Sequence, residues 1–158
     1  FPLIRFISHH QKNMTGEKNV ENKMELRFPA ISANEGFARI CAAAFASQLD
    51  PTLEEIADIK TAISEAVTNA IVHAYEKKGG QVILRGKLDE KGVHFEIEDA
   101  GRGIPNLEEA MQPFYTTCSG EERSGMGFTV MQTFMDELHV FSEPRKGTKV
   151  CLYKKIGK

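Results

Sequence analysis

The chain lacks a surplus of positive charge. Its 20 Lys and Arg are set against 22 Asp and Glu, for a net charge of -2 and a pI near 6.2. That balance gives no support to direct binding of DNA, because a nucleic-acid backbone is held by excess cations. It also lacks any apolar run near the roughly 20 residues needed to span a bilayer, so no membrane role is expected. Cysteine is scarce: Cys41, Cys118 and Cys151 are odd in number and contain no Cys-x-x-Cys pair. A disulfide framework or a zinc site does not fit, and a reducing cytoplasm does. Internal repeats and low-complexity tracts are missing too. What remains is 158 residues, 41% hydrophobic and 27% charged, enough for one globular domain with a real core.

Residues 1–23 differ from the rest. Phe1 to Ile7 is apolar with one Arg, and a polar stretch continues to Lys23. They read as a disordered or non-native extension, and residues 24–158 as the domain. Met24 to Phe28 alternates like a half-buried strand, ended by Pro29. Ser32-Ala-Asn-Glu35 reads as a capping box. It opens a helix with Phe37, Ile40, Cys41, Ala44, Phe45 and Leu49 on the predicted core side, and Arg39 off it. Arg39 is a solvated charge or a partner contact. Asp50 with Pro51, or Thr52 with Glu55, then restarts a helix.

The informative segment is Asp58 to Glu76. Ile56, Ile59, Ile63, Ala66, Val67, Ala70 and Ala74 gather on one broad side at helical spacing. A narrow strip carries Thr61, Glu65, Thr68, Asn69 and His73. Glu65, Asn69 and His73 lie at i, i+4 and i+8, stacked along one edge. A carboxylate and an amide on a mostly buried helix need a metal ion, a polar ligand or solvent. Lys77-Lys78 and Gly79-Gly80 close the helix.

Gln81 to Leu88 and Val93 to Glu98 read as a hairpin turning at Asp89 to Gly92. Asp99-Ala-Gly-Arg-Gly103 comes next, and its paired glycines imply tight backbone. Leu107 to Met111 is a candidate short helix, and Phe114 to Ser124 reads as a mobile loop. Ser124-Gly-Met-Gly127 opens a helix with Phe128, Met131, Phe134, Met135 and Leu138 on its apolar face. Glycines there free N–H groups for an anion. Strands at Val140 to Ser142 and Thr148 to Lys154 finish the chain. The fold class expected is α+β: a two-layer sandwich of a mainly antiparallel sheet with helices on one face.

Each glycine site is weak alone, but their order is specific. Glu65-x-x-x-Asn69-Ala70, Asp99-x-Gly101-x-Gly103, Gly125-x-Gly127 and Gly147-Thr148 resemble the ATP-binding signature of gyrase B and the histidine kinases, the GHKL or Bergerat fold. No P-loop pattern occurs. Ser64 to Tyr75 and Glu122 to Met131 narrow the resemblance to the anti-sigma factor serine kinases, most similar to their sporulation branch. Arg27 to Ala30 and Asn34 to Arg39 are similar to that branch as well.

The resemblance implies ATP and Mg²⁺ as cofactors. It implies Glu65 as the general base toward a serine hydroxyl and Asn69 as the Mg²⁺ ligand. Asp99 would accept from the adenine amino group, with Gly101 and Gly103 making room and Thr148 in support. Gly125 and Gly127 would hold phosphates, and Arg123 would neutralise charge in transfer. The implied partners are a sigma factor of the sigma-F kind, an anti-anti-sigma protein as substrate, and a second copy of the chain. Thr116-Thr-Cys-Ser-Gly120 departs from the basic lid usual in the family, which leaves an ATP-gated binding module without useful kinase activity as the alternative.

Overall fold

The computed structural model describes residues 20–112 and 127–157. Five strands form one antiparallel sheet in the order β1-β2-β3-β5-β4. They are β1 Lys23–Pro29, β2 Gln81–Leu88, β3 Gly92–Asp99, β4 Glu137–Glu143 and β5 Gly147–Lys155. The helices are α1 Ala33–Ala46, α2 Leu53–Thr68, α3 Leu107–Ala110 and α4 Gly127–Phe134. The expected α+β sandwich is what the described residues form. Lys23, assigned from sequence to the extension, is the first residue of β1 and pairs with Lys87.

Alternation sorts the strand residues into rows across the core face. Met24, Gly86, Phe95, Leu152 and Leu138 form one row, and Leu26, Leu84, Ile97, Val150 and Val140 the next. The third row runs Phe28, Val82, Asp99, Thr148 and Ser142. This row turns polar halfway across, and there the core gives way to a site. Gly86 leaves room for the Phe45 ring, which meets Phe95 edge-on at 6.4 Å.

Helix α2 starts with a complete capping box. The Thr52 hydroxyl accepts from Glu55 N–H at 3.1 Å, and the Glu55 carboxylate accepts from Thr52 N–H at 2.8 Å. Thr52, not Asp50, is therefore the cap. Ile59, Ala62, Ile63, Ala66 and Val67 are the buried residues of this helix.

Three sequence expectations are corrected. Ser32 makes no side-chain cap, because its backbone is already helical at φ -56° and ψ -32°. Its hydroxyl is not swung toward the first turn, and Glu35 pairs with Arg39 instead at 2.9 Å. Helix α1 faces the core with Ala38, Ala42, Ala43, Phe45 and Ala46, whereas Phe37 and Ile40 are 47% and 63% exposed. Small residues win because α1 lies close against α2 and the sheet, which large side chains would hold apart. Leu138 belongs to β4, since α4 ends at Phe134.

Candidate nucleotide site

The site is assembled where α2 changes pitch. The α-helix ends at Thr68, and Asn69–Ala74 continues as a π-helix, closed by a bond from Tyr75 N–H to Ala70 O at 3.1 Å. A π-turn widens the helix and re-aims the residues beyond it, and such turns recur at functional sites. Glu65 sits one turn before the change, and Asn69 is its first residue. Both are half-buried.

Gly127 brings the chain's later half onto them. A Cβ on Gly127 would stand 3.3 Å from both terminal atoms of the Asn69 amide and 3.4 Å from Glu65 Oε2. The carboxylate, the amide and the start of α4 therefore form one cluster. Gly125 and Arg123, expected to complete it, lie outside the described residues, as do Cys118 and the rest of the segment expected to be a mobile lid.

The second cluster surrounds Asp99, the last residue of β3. Its Oδ1 accepts from Gly101 N–H at 3.0 Å and from Thr148 N–H at 3.3 Å. Among the described residues no hydrogen bond ends on Oδ2. Burial pushes the Asp99 carboxyl up to about 6, against the two N–H donors that favour its charged form. A buried acceptor oxygen left over calls for a donor, and an amino group on a flat ring suits it.

Thr148 acts through its backbone. Its hydroxyl instead meets Ser142 Oγ at 2.8 Å. Ser142 also accepts from Ile104 N–H at 2.8 Å, tying the loop after Asp99 to β4. The glycines serve close backbone approach here. A Cβ on Gly101 would strike the Ala74 carbonyl, and Gly103, at φ 73°, lies against the Glu143 carbonyl. Arg102 N–H donates to Ala74 O at 3.1 Å, so the π-turn's end and the Asp99 loop are joined directly.

Ser142 and Tyr75 adjoin the candidate site through Thr148 and Ala100 N–H, and sequence reasoning passes over both. Ser142 looks like any strand residue. Tyr75 is visible only as the end of a helix, although a half-buried phenol needs a polar partner. Arg39 stands apart from both clusters. It bonds Glu35 and, at 3.1 Å, Ser64 Oγ, next to Glu65 in the chain.

A buried acceptor, a glycine cradle and an adjacent carboxylate and amide together fit a nucleotide pocket. Residues 28–154 match the histidine kinase-like ATPase domain family. The chain is 60% identical over 137 residues to an anti-sigma F factor of Caldanaerobacter subterraneus, covering 87% of this chain and 96% of that protein. It is 57% identical over 138 residues to an anti-sigma F factor of Clostridium acetobutylicum, with coverage of 87% and 96%. Among solved structures, the RsbU and RsbW domains of a Mycobacterium tuberculosis protein superpose with a TM-score of 0.63 at 19% identity. That likeness covers 87% of this chain and 33% of the other, and it shows the fold alone. The protein is thus an ATP-binding domain of the histidine kinase-like class. Within that class, the chain belongs to the anti-sigma F factor family.

Proposed function

We propose that the chain is a protein-serine kinase that also sequesters a sporulation sigma factor, with an anti-anti-sigma protein as its phosphorylation substrate. The observation that carries the kinase reading is the approach of Gly127 to Glu65 and Asn69. It puts a candidate base beside a candidate metal ligand, at a helix start able to receive phosphate. Glu65 takes the proton of the substrate serine as its Oγ–phosphorus bond forms and the bond to the β-phosphate oxygen breaks. Asn69 would hold Mg²⁺ through its amide oxygen, the kind of hard ligand that such a cation takes. Bound Mg²⁺ supplies charge neutralisation, and Arg123 adds to it.

Asp99 and its loop select adenine, with Gly101 and Gly103 shaping the wall. Arg39, partly exposed beside Ser64, is a contact for protein partners. Exposed Phe37 and Ile40 on α1, next to β1 at the sheet's edge, suit a second copy of the chain. No helix among the described residues is long and apolar enough to cross a membrane. The proposed regulator works in the cytoplasm, where a sigma factor would meet it.

The test is transfer from γ-labelled ATP to an anti-anti-sigma protein. Wild type should label a serine. Glu65→Gln should lose about 10²–10⁴-fold in transfer while still binding ATP. Equal transfer by the variant would remove Glu65 as base, and ATP binding without label on any serine would remove the kinase.

A further inference from the structure

We infer that Tyr75 is a positioning residue for base recognition, setting the preference for adenine through the peptide just after Asp99. The inference deepens the reading of Asp99 as the adenine acceptor and rests on it. The Tyr75 hydroxyl accepts from Ala100 N–H at 2.7 Å and donates to Gln81 O at 2.7 Å. Gln81 opens β2 and Ala100 comes directly after β3, so one phenol oxygen pins the ends of two adjacent strands. Asp99 lies between the Tyr75 bond to Ala100 on one side and its own β3 ladder on the other.

The ring is itself held. A Cβ on Gly80 would overlap the Tyr75 ring, so the backbone there packs flat against it. The residue before Tyr75 accepts from Arg102 N–H, which fixes the far side of the same loop. The Asp99–Arg102 segment is therefore suspended from the end of the π-turn at two successive residues. Through that suspension, Asn69 at the turn's start and Asp99 at the ring end belong to one connected piece of backbone. Tyr75 touches no reacting atom. Its effect is on where the Asp99 carboxylate stands.

The direction of effect comes from hydrogen-bond chemistry. Thr148 and Gly101 hold Oδ1, which leaves Oδ2 to meet a donor on the base. Adenine offers an amino group at that position, and purine without the 6-amino group offers none. A site built around an acceptor discriminates between the two only while the acceptor is placed correctly. Losing the phenol oxygen frees the Ala100 peptide and blurs that placement.

The experiment compares the dissociation constants of ATP and purine riboside triphosphate for wild type, Tyr75→Phe and Asp99→Asn, with thermal unfolding in parallel. Wild type should prefer ATP. In Asp99→Asn, the amide oxygen stays with the two N–H donors and the amide nitrogen faces the base, donor against donor, so the preference should vanish. Tyr75→Phe keeps the ring packing and should narrow the preference by about five- to tenfold, the size of one misplaced hydrogen bond. A merely structural tyrosine would lower the unfolding temperature and weaken both nucleotides equally. An unchanged ratio in Tyr75→Phe, beside a lost one in Asp99→Asn, overturns the role of Tyr75 alone. No preference in wild type, or an intact one in Asp99→Asn, overturns the Asp99 reading and this inference with it.

Discussion

Gly127 leaves little space above Asn69: a Cβ there would sit 3.3 Å from the amide oxygen and nitrogen alike. The glycine is the first residue of α4, where alanine keeps only part of the about 1 kcal/mol advantage it has over glycine in a helix interior. Helix propensity and the site therefore pull in opposite directions. Gly127→Ala should leave the unfolding temperature unchanged or raised, and should weaken ATP binding by about tenfold because the Asn69 amide must move. Calorimetric titration beside thermal unfolding checks both halves. Undiminished binding would mean the cradle tolerates the methyl.

Asp99 gives a pH signature with a definite sign. Its carboxyl is raised from an ordinary 3.8 to about 6 by burial, so the fold favours the protonated form. That contribution is fully present below pH 3.8 and is lost as pH rises through about 6. Other carboxylates oppose it, since Glu21, Glu25 and Glu55 are lowered by their hydrogen-bond partners. The difference between wild type and Asp99→Asn isolates the one group. Between about pH 4 and 7, wild type should lose stability relative to the variant by up to about 3 kcal/mol. Urea midpoints at several pH values measure it, and parallel curves would contradict the buried charge.

Much of the fold, and part of the candidate site, is legible in the sequence because periodicity and glycine spacing are local. Gly79-Gly80 and the Asp89 turn bound β2 in sequence and structure alike, and the Asp89 carboxylate accepts from Lys91 and Gly92 N–H. Asp99 and Thr148 both stand out by motif, and they prove to be register partners. The hidden features depend on tertiary packing. Nothing in Asn69 to Ala74 announces a π-turn, because its composition suits an α-helix equally. Phe37 and Ile40 match a core-facing period, yet the alanines beside them occupy the core, since close helix packing rewards small volume over apolar area. Ser142 and Tyr75 become visible only when distant strands meet.

The misread face of α1 leads to a third prediction. Phe37 meets Phe28 edge-on at 6.4 Å but remains largely exposed, with Ile40 one turn on. If a second copy covers them, Phe37→Ser with Ile40→Ser should convert a dimer to a monomer in analytical ultracentrifugation. Monomer stability should fall by about 1–2 kcal/mol, because roughly half of Phe37 is buried against Phe28, and the folded monomer should persist. A wild type that sediments as a monomer would leave the stripe to another partner and remove the proposed dimer.

The last prediction concerns what keeps α2 seated on the sheet. Lys154 of β5 reaches Asp58 of α2 at 2.9 Å, and both side chains are largely buried, at 13% and 17% exposure. The same ammonium donates to Phe134 O at 2.8 Å, the carbonyl that ends α4. A cation there answers the negative end of the helix, so one group joins β5, α2 and α4. Removing it leaves Asp58 charged, poorly solvated and without this partner, which costs more than the pair itself contributes. Lys154→Met should destabilise by about 2–4 kcal/mol, below the figure for a fully buried pair because some solvent reaches both groups. Adding Asp58→Asn should restore part of the loss, since the stranded charge is gone while the α4 carbonyl remains uncapped. Denaturant unfolding of the two single variants and the double variant yields the coupling. Strictly additive losses would show that Lys154 serves α4 and owes nothing to Asp58.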